Sequence, residues 1–288
     1  MKGKMLGLTL VADWDPKPGF KLGAKDIEGR QSYLGSQVWR NPRFEFREYD
    51  IPTPGPEEVL IEVKACGICG SDVHMAQADE DGYIFYPGLT GFPSILGHEF
   101  SGVMVEAGKN AFDKRTNKPF KGGERVTSEE MLWCGQCKPC ADGQPNHCER
   151  LDEIGFNVHG AYTQYIVLPS RTIWSLEPLR HNYKGDDIFV AGSLVEPTCV
   201  AYNAVIERGG GIRPGDRVVI LGAGPVGIAA CAILKRAGAS QVIVSETGEN
   251  RAKMAMKLGA DYHVNPLKED FADRVLEITD GMGADLFM

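Results

Sequence analysis

The feature that most constrains the fold is a regular alternation of strand-like and helix-like segments after residue 210. RVVILG (217–222) is an apolar run of the kind found in a strand that is buried on both faces. A helical segment follows at 225–238, with a proline near its first turn and a glycine just past its end. Two more strands and a second helix repeat the pattern at 241–246, 261–264 and 251–260. This alternation predicts an α/β domain with a parallel, doubly wound sheet.

The turn between the first strand and the first helix carries the glycine motif G-A-G-P-V-G. Glycines here permit a tight turn, close approach of the backbone to a pyrophosphate, and close packing of helix and strand. The phosphates would lie at the helix N-terminus, where free N–H groups and the helix dipole favour negative charge. Glu246, at the end of the second strand, could accept hydrogen bonds from the ribose hydroxyls of NAD, whereas Arg251 keeps NADP from being excluded. A glycine-rich turn without a ligand is the alternative. The predicted cofactor-binding residues are Gly222, Gly224, Pro225, Val226, Gly227, Glu246 and Arg251.

The first two thirds of the chain is rich in strand patterns instead. EEVLIEVKA (57–65) alternates apolar and charged residues, and 100–108 and 160–169 are further strand candidates bounded by glycine or proline. A first strand is also expected at the N-terminus, which lacks the apolar region and cleavage site of a signal peptide. We predict a β-rich domain over residues 1–198 and a dinucleotide-binding domain over 199–288.

Four cysteines fall within 15 residues, at Cys134, Cys137, Cys140 and Cys148. The spacing C-x2-C-x2-C-x7-C lets four thiolates surround one tetrahedral zinc ion and leaves no open position, which marks a structural site. In a reducing compartment, clustered cysteines are more often metal ligands than disulfides. An iron–sulfur cluster or a pair of disulfides is the alternative. The lobe that would hold this zinc spans about residues 130–150.

A second set of metal-binding residue types is spread along the β-rich domain. C-G-I-C-G-S-D-V-H (66–74) and G-H-E (97–99) offer cysteine and histidine, and V-E-P (195–197) offers a glutamate as a third ligand. Three protein ligands with one open position are the catalytic arrangement of zinc. The two cysteines of the first motif could instead form a redox pair.

The order of these motifs resembles that of the zinc-dependent medium-chain alcohol dehydrogenase family. The resemblance covers nearly the whole chain, and it runs through GICGSDVH, GHEFSG, GERV, the four cysteines, GAYTQYIVLP, LVEP and GAGPVG. It implies a GroES-like catalytic domain followed by a Rossmann domain, with one catalytic and one structural zinc ion and NAD as the cofactor. The family's Rossmann sheet has about six strands. We therefore expect the chain to be truncated after its fourth strand, and this fragment to be weakly active or inactive.

The resemblance also implies roles for individual residues. The catalytic zinc would be bound by Cys69 and His98. In the polyol branch, typified by sorbitol dehydrogenase, the third ligand is a glutamate, which corresponds here to Glu196. Glu99 would be either a direct ligand or a catalytic group that swings toward the metal. The family's hydroxyl-to-imidazole proton relay matches two further residues, Ser71 and His74.

Finer features resemble the enzymes of the polyol branch that oxidise keto-inositols. These features are an N-terminal insertion at 14–40 and the segments 74–93 and 191–216. The implied reaction is reversible hydride transfer between a secondary alcohol of a polyol or cyclitol and NAD. Sorbitol or threonine dehydrogenation is the alternative within the family. A zinc-free quinone or enoyl reductase, or a non-catalytic protein that binds NAD or zinc, is the alternative outside it.

Charge and hydropathy restrict the partners of the protein. The formal net charge of −8 argues against nucleic acid and anionic membranes. No apolar run in the sequence approaches the roughly 18 to 20 residues that cross a bilayer. We expect a cytoplasmic protein that acts on a small polyol or cyclitol. The family resemblance suggests a homo-oligomer, a dimer or a tetramer, for the full-length protein.

Overall fold

The structure, a computed structural model, describes residues 3–288 of the chain. The chain divides into two compact units, Met1–Glu196 and Pro197–Met288. The first unit is built mainly from antiparallel strands, and the second has a parallel sheet with helices. A β-rich part followed by a doubly wound α/β part is the architecture that the sequence predicts.

The strands of the first unit are short, except near its N-terminus and at its centre. They are β1 (Lys4–Trp14), β2 (Trp39–Asp50), β3 (Glu58–Cys66), β4 (Ser94–Ile95), β5 (Phe100–Ala107), β6 (Phe112–Asp113), β7 (Lys118–Pro119), β8 (Arg125–Ser128), β9 (Met131–Leu132), β10 (Asp152–Glu153), β11 (Tyr165–Pro169) and β12 (Ile173–Ser175). Its helices are α1 (Gly70–Ala76), α2 (Lys138–Ala141) and α3 (Asp187–Ser193), and α4 (Val195–Tyr202) begins at its last residues. Short 3-10 turns lie at Gly35–Gln37, Pro145–His147, Ser170–Thr172 and Glu177–His181.

A five-stranded antiparallel sheet with the order β11-β3-β5-β8-β12 forms the centre of the first unit. The apolar face of β3 buries Val59 and Ile61 against Phe100 and Met104 of β5. The pairing of these two strands sets Cys66 opposite Phe100. Because antiparallel neighbours run in opposite directions, the chain that leaves β3 lies beside the chain that enters β5. Both of these loops carry predicted metal ligands.

A long antiparallel pair, β1 and β2, borders a second core. The insertion between these strands ends at Trp39, whose buried ring contacts Trp14 and Phe92 edge to face at centroid distances of 5.0 and 5.1 Å. Edge-to-face aromatic pairs add to the stabilisation from burial. The expected first strand is therefore confirmed as β1, while Met1 and Lys2 lie outside the described residues.

The second unit has a four-stranded parallel sheet with the order β15-β14-β13-β16. The strands are β13 (Arg217–Leu221), β14 (Gln241–Ser245), β15 (Tyr262–Val264) and β16 (Leu286–Phe287), and the helices are α5 (Pro225–Ala237), α6 (Glu249–Leu258) and α7 (Phe271–Ile278). The central strands are almost entirely buried, which explains their unbroken apolar sequences. The predicted parallel sheet is confirmed, and its order in chain sequence, 3-2-1-4, is that of the Rossmann type. Helix α7 was not predicted.

One predicted strand is shorter than expected. The segment 160–169 forms strand only over Tyr165–Pro169. Its first residues pair instead with the loop before β5, where the N–H groups of Gly160 and Tyr162 donate to the carbonyls of Ile95 and Leu96 at 2.7 and 2.9 Å. This contact draws residues 160–164 toward the loop that carries His98.

The helical residues 187–208 form a stretch of 22 residues that could cross a membrane by length and composition alone. The stretch comprises α3, α4 and a π-helical turn at Asn203–Arg208. The sequence analysis did not anticipate an apolar segment of this length. In the most apolar 18 residues of this stretch, 39% are buried. Core helices of soluble proteins also meet this test of length and composition.

Candidate active site and cofactor site

Three predicted site residues meet where β3 ends and β5 begins. Cys69 is the N-cap of α1, three residues beyond β3, and His98 and Glu99 directly precede β5. One donor atom from each, the Cys69 sulfur, a His98 ring nitrogen and a Glu99 carboxylate oxygen, lie within 4.8 Å of one another. We call these three residues the mixed-ligand group. The pairing of β3 with β5 brings them together although they are distant in the chain.

The mixed-ligand group has the burial and the donor types of a zinc site. His98 and Glu99 are 4% and 7% exposed, and Cys69 is half-buried. Burial raises the pKa of the Cys69 thiol and of the Glu99 carboxyl, and it lowers the pKa of His98. A divalent cation would favour the charged thiolate and carboxylate and thereby offset their burial. Sulfur, imidazole and carboxylate donors together suit zinc.

A glycine makes room for the Glu99 carboxylate. A Cβ atom on Gly67 would lie 2.2 Å from Glu99 Oε2 and 3.2 Å from Glu99 Cβ. The Gly67 N–H also donates to the Glu99 carbonyl at 2.7 Å. The loop after β3 can therefore pass close to Glu99 only because residue 67 has no side chain.

Asp72 lies beside the mixed-ligand group, in the first turn of α1. One carboxylate oxygen accepts hydrogen bonds from the Cys69 N–H at 2.9 Å and from the Tyr162 hydroxyl at 2.8 Å. The other oxygen lies 3.9 Å from Nδ1 of His98, which is buried and has no hydrogen-bond partner among residues 3–288. A carboxylate that accepts a hydrogen bond from a ligating imidazole fixes the orientation of the ring, and this carboxylate would form that bond if the distance shortened to about 3 Å. The sequence analysis missed this role, although an acidic residue three positions after a helix N-cap is a recognisable capping pattern.

Glu196 lies near the mixed-ligand group but is not part of it. It is the second residue of α4. Burial raises its pKa to about 7, and the Glu99 carboxylate adds to the rise. Its carboxylate does not fall within the 4.8 Å that encloses the donor atoms of Cys69, His98 and Glu99. Which of the two glutamates binds the metal therefore stays a prediction.

The two predicted relay residues lie on α1 and differ in exposure. The Ser71 hydroxyl is buried and has no hydrogen-bond partner in the described chain. His74, three residues later on the same helix, is exposed. No hydrogen bond joins the two side chains among the described residues. The arrangement therefore offers one hydroxyl beside the mixed-ligand group and one imidazole at the surface.

The four cysteines form a separate group within a short lobe. One sulfur from each of Cys134, Cys137, Cys140 and Cys148 lies within 4.8 Å of the others. The Cys137 sulfur is 3.4 Å from that of Cys140 and 3.9 Å from that of Cys148, too far for a disulfide. Tetrahedral zinc with bonds of about 2.3 Å sets its sulfur ligands roughly 3.8 Å apart, so the spacing fits a zinc ion.

Backbone N–H groups favour the thiolate form of Cys134. The Cys134 sulfur accepts from the N–H groups of Gln136 and Cys137, both at 3.4 Å. These hydrogen bonds lower the pKa of Cys134 to about 5. The Cys148 sulfur likewise accepts from the N–H groups of Cys134 and Arg150, at 3.3 and 3.4 Å. Thiolates are the form in which cysteine binds a metal.

The predicted phosphate-binding turn joins β13 to α5. Gly222 has a positive φ of 93°, and its N–H donates to the Ser245 carbonyl at 2.7 Å. A Cβ atom on Gly227 would lie 2.1 Å from the Gly222 carbonyl oxygen, so only glycine allows this turn to close on the helix. Gly224 caps the N-terminus of α5 and Pro225 is its first residue, followed by Val226. Apart from the adjacent residues, no atom of residues 3–288 lies within 4 Å of a Cβ placed on Gly222 or Gly224, so the backbone there is open to a ligand.

Glu246 connects this turn to the end of β14. Its carboxylate accepts hydrogen bonds from the N–H groups of Ala223 at 2.8 Å and Gly248 at 2.6 Å, and it pairs with Arg251 at 2.6 Å. The Arg251 guanidinium, followed by the two N–H donors, lowers the pKa of the buried Glu246 to about 2. An ionised acceptor beside a glycine turn fits the ribose of a dinucleotide.

Three residues near the mixed-ligand group were missed by the sequence analysis. Glu153 lies on one of the paired strands that flank the four-cysteine lobe, Glu130 directly precedes the other, and Tyr86 lies in the segment after α1. Burial is the main cause of the raised pKa of Tyr86 and of Glu130; Glu153 contributes to both, Cys69 to that of Tyr86 and Glu196 to that of Glu130. Each residue is unremarkable in the sequence because its neighbours in space are distant in the chain.

Comparison with known proteins matches both parts of the chain to families. Residues 55–178 match the alcohol dehydrogenase GroES-like domain, and residues 225–288 match the family described as zinc-binding dehydrogenase. The chain is 62% identical to scyllo-inosose 3-dehydrogenase of Thermotoga maritima, over 99% of this chain and 72% of that protein.

More distant and structural relatives agree with these matches. L-threonine 3-dehydrogenase of Pyrococcus horikoshii is 37% identical over 85% of this chain, which spans 64% of that protein. A solved structure from Thermotoga maritima, assigned to the alcohol dehydrogenases, superposes with a TM-score of 0.93 at 62% identity. The superposition covers 98% of this chain and 72% of the solved one.

Proposed function

Because the chain belongs to the zinc-dependent medium-chain dehydrogenase family, we propose that it transfers a hydride between a secondary alcohol of a polyol or cyclitol and NAD. The proposed substrate class is the inositols and their ketones. The observation that carries the proposal is the buried mixed-ligand group of Cys69, His98 and Glu99. The 62% identity to a scyllo-inosose dehydrogenase supports the choice of cyclitols over threonine, whose dehydrogenases are 37% identical or less.

We propose that the mixed-ligand group holds a catalytic zinc ion, with Glu196 as an alternative or additional ligand. Bound zinc would act as a Lewis acid that makes the substrate hydroxyl easier to deprotonate. Asp72, whose carboxylate lies 3.9 Å from Nδ1 of His98, would hold the His98 ring in position by moving within hydrogen-bond distance of that nitrogen. Ser71 would accept the released proton while its own hydroxyl proton passes to water, and the exposed His74 would carry that proton on to solvent.

We propose a second, structural zinc ion in the four-cysteine lobe. Its ligands would be Cys134, Cys137, Cys140 and Cys148, which leave no open coordination position. The residues of the glycine turn would bind the pyrophosphate of NAD, and Glu246 would accept hydrogen bonds from its ribose. To bind NADP, Arg251 would have to leave its ion pair with Glu246 and pair with the 2′-phosphate instead.

The remaining expectations are proposals of the same kind. We propose a catalytic domain over 1–198 and a nucleotide-binding domain over 199–288. We also propose a cytoplasmic location and a homo-oligomer. Family membership supports the oligomer, and the net charge of −8 supports a small-molecule substrate over nucleic acid.

A substrate panel tests the proposal directly. The zinc-loaded protein is incubated with NAD and, separately, myo-inositol, an inosose, sorbitol and threonine, and NADH formation is followed by absorbance. We expect the highest kcat/KM with a cyclitol and a loss of turnover in Cys69→Ser. Turnover of threonine without turnover of any cyclitol would contradict the proposed substrate class.

A further inference from the structure

Two carboxyl groups that the proposed mechanism does not use, those of Glu130 and Glu153, come from neighbouring backbone segments. Glu130 directly precedes β9, and Glu153 ends β10, where it pairs with Met131. The Ile154 N–H donates to the Glu130 carbonyl at 3.1 Å and continues this pairing. The two glutamates come from opposite sides of the four-cysteine lobe, so the fold of that lobe determines their separation.

Neither carboxyl group has a protein partner among residues 3–288. No hydrogen bond or ion pair reaches the side-chain oxygens of Glu130 or Glu153, although Glu153 donates its backbone N–H to Asn157 at 2.7 Å. Burial, reinforced by the Glu153 carboxylate, raises the pKa of Glu130 to about 9, and burial raises the pKa of Glu153 to about 7. Buried polar groups are costly unless they are hydrogen-bonded. Both side chains are only partly buried, so their carboxyls are open to partners from outside the chain.

Contacts of the Phe156 ring connect a third polar group, the Tyr86 hydroxyl, with the turn that carries Glu153. The Phe156 ring lies 4.9 Å from the His98 ring and 5.2 Å from the Tyr86 ring, measured between centroids. The Phe156 N–H donates to the Glu153 carbonyl at 3.1 Å, so one turn carries both Phe156 and Glu153. The Tyr86 hydroxyl makes no hydrogen bond to a described residue. Burial is the main cause of its raised pKa, and Glu153, Glu130 and Cys69 contribute in that order.

We propose that Tyr86, Glu130 and Glu153 recognise the ring hydroxyls of a polyhydroxylated substrate whose reacting hydroxyl lies at the mixed-ligand group. This inference rests on the proposed dehydrogenase function. A cyclitol carries a hydroxyl on each ring carbon that does not react, and each hydroxyl can donate to a carboxylate or accept from a carboxylic acid or phenol. A simple secondary alcohol would leave both carboxyl groups unpaired. Sites that are built to hydrogen-bond a hydroxyl discriminate strongly against analogues that lack it.

The test compares a polyhydroxylated ring with a ring that has only the reacting hydroxyl. The kcat/KM for myo-inositol and for cyclohexanol is measured with the zinc-loaded protein and with Glu130→Gln, Glu153→Gln and Tyr86→Phe. Each substitution keeps the shape of the side chain and changes only its hydrogen-bonding capacity. Glu80→Gln, an exposed carboxyl in the segment before Tyr86, is the matched control. We expect the myo-inositol to cyclohexanol ratio to fall about 10-fold or more in each of the three variants, the effect of a lost hydrogen bond, and to stay unchanged in Glu80→Gln.

Equilibrium binding separates this inference from the proposed function. The dissociation constant of myo-inositol is measured by titration calorimetry with the same variants, and it requires no turnover. Weaker binding in the three variants without hydride transfer by any protein would support the recognition and contradict the dehydrogenase function. Normal turnover of myo-inositol with an unchanged ratio in all three variants would overturn the recognition and leave the dehydrogenase function standing. The carboxyls would then bind only water.

Discussion

Replacing Gly67 with alanine should weaken metal binding at the mixed-ligand group with little effect on the fold. The new Cβ would lie 2.2 Å from Glu99 Oε2, about 1 Å closer than an ordinary C···O contact of roughly 3.3 Å. Because this oxygen is the end of a flexible side chain, the carboxylate can rotate away at a cost of about 0.5–1.5 kcal/mol. The same rotation moves the donor atom by about 1 Å, a displacement that can cost about 100-fold in rate.

Gly70→Ala is the matched control for this prediction. Gly70 is the first residue of α1, and no atom lies within 4 Å of a Cβ placed there. Zinc content is measured by competition with a chelator, alongside kcat/KM and thermal unfolding. For Gly67→Ala we expect loss of the zinc ion at the mixed-ligand group. We also expect a drop in kcat/KM of about 100-fold and a decrease in Tm of only about 2–4 °C. If Gly67→Ala kept the zinc affinity of Gly70→Ala, the close contact with Glu99 would have no part in metal binding.

Four further predictions follow from the same geometry. Glu99→Gln should lower zinc affinity at the mixed-ligand group more than Glu196→Gln, because only Glu99 lies within 4.8 Å of the other two donors; equal losses in chelator competition would argue against this grouping. Cys134→Ser and Cys69→Ser should each remove one zinc ion, but only Cys134→Ser should lower Tm strongly, because structural zinc binding is worth about 10–16 kcal/mol in zinc-finger peptides. Glu246→Arg should shift the ratio of kcat/KM for NAD and NADP toward NADP, and an unchanged ratio would exclude a ribose contact. The pKa of Glu130 is raised to about 9 from about 4.3 in an unfolded chain, so its contribution to stability is full below the unfolded pKa and is lost as the pH rises through 9. The Tm should therefore fall less steeply between pH 5 and 9 in Glu130→Gln than in the unsubstituted protein. Parallel curves of Tm against pH for the two proteins would contradict the burial of this carboxyl.

Much of the fold was predictable because the signals are local. Strands β13 and β14 are buried on both faces, so their unbroken apolar sequences identified them, and Gly238 ends α5 with a φ of 106° as its position suggested. The four cysteines are equally local, because their ligand atoms meet within one short lobe. The strand over 160–169 was overestimated, since its first half pairs with a loop that no local pattern reveals.

The mixed-ligand group shows where sequence reasoning reached its limit. Family resemblance named Cys69, His98, Glu99 and Glu196 as ligands, but it could not rank the two glutamates. The register of β3 with β5 decided which donors come together, and the missing side chain of Gly67 decided how close Glu99 lies.

By itself, the sequence indicated the alternating strands and helices from β13 to β15, the cluster of four cysteines and the glycine turn, because each depends on residues that are neighbours in the chain. Only the tertiary structure decided the partners of Glu99, the role of Asp72 behind His98, and the meeting of Tyr86 with Glu130 and Glu153. The physical reason is that burial and strand register are set by contacts between distant segments. Those contacts determine whether a glutamate is a solvated surface charge or a buried group that needs a ligand.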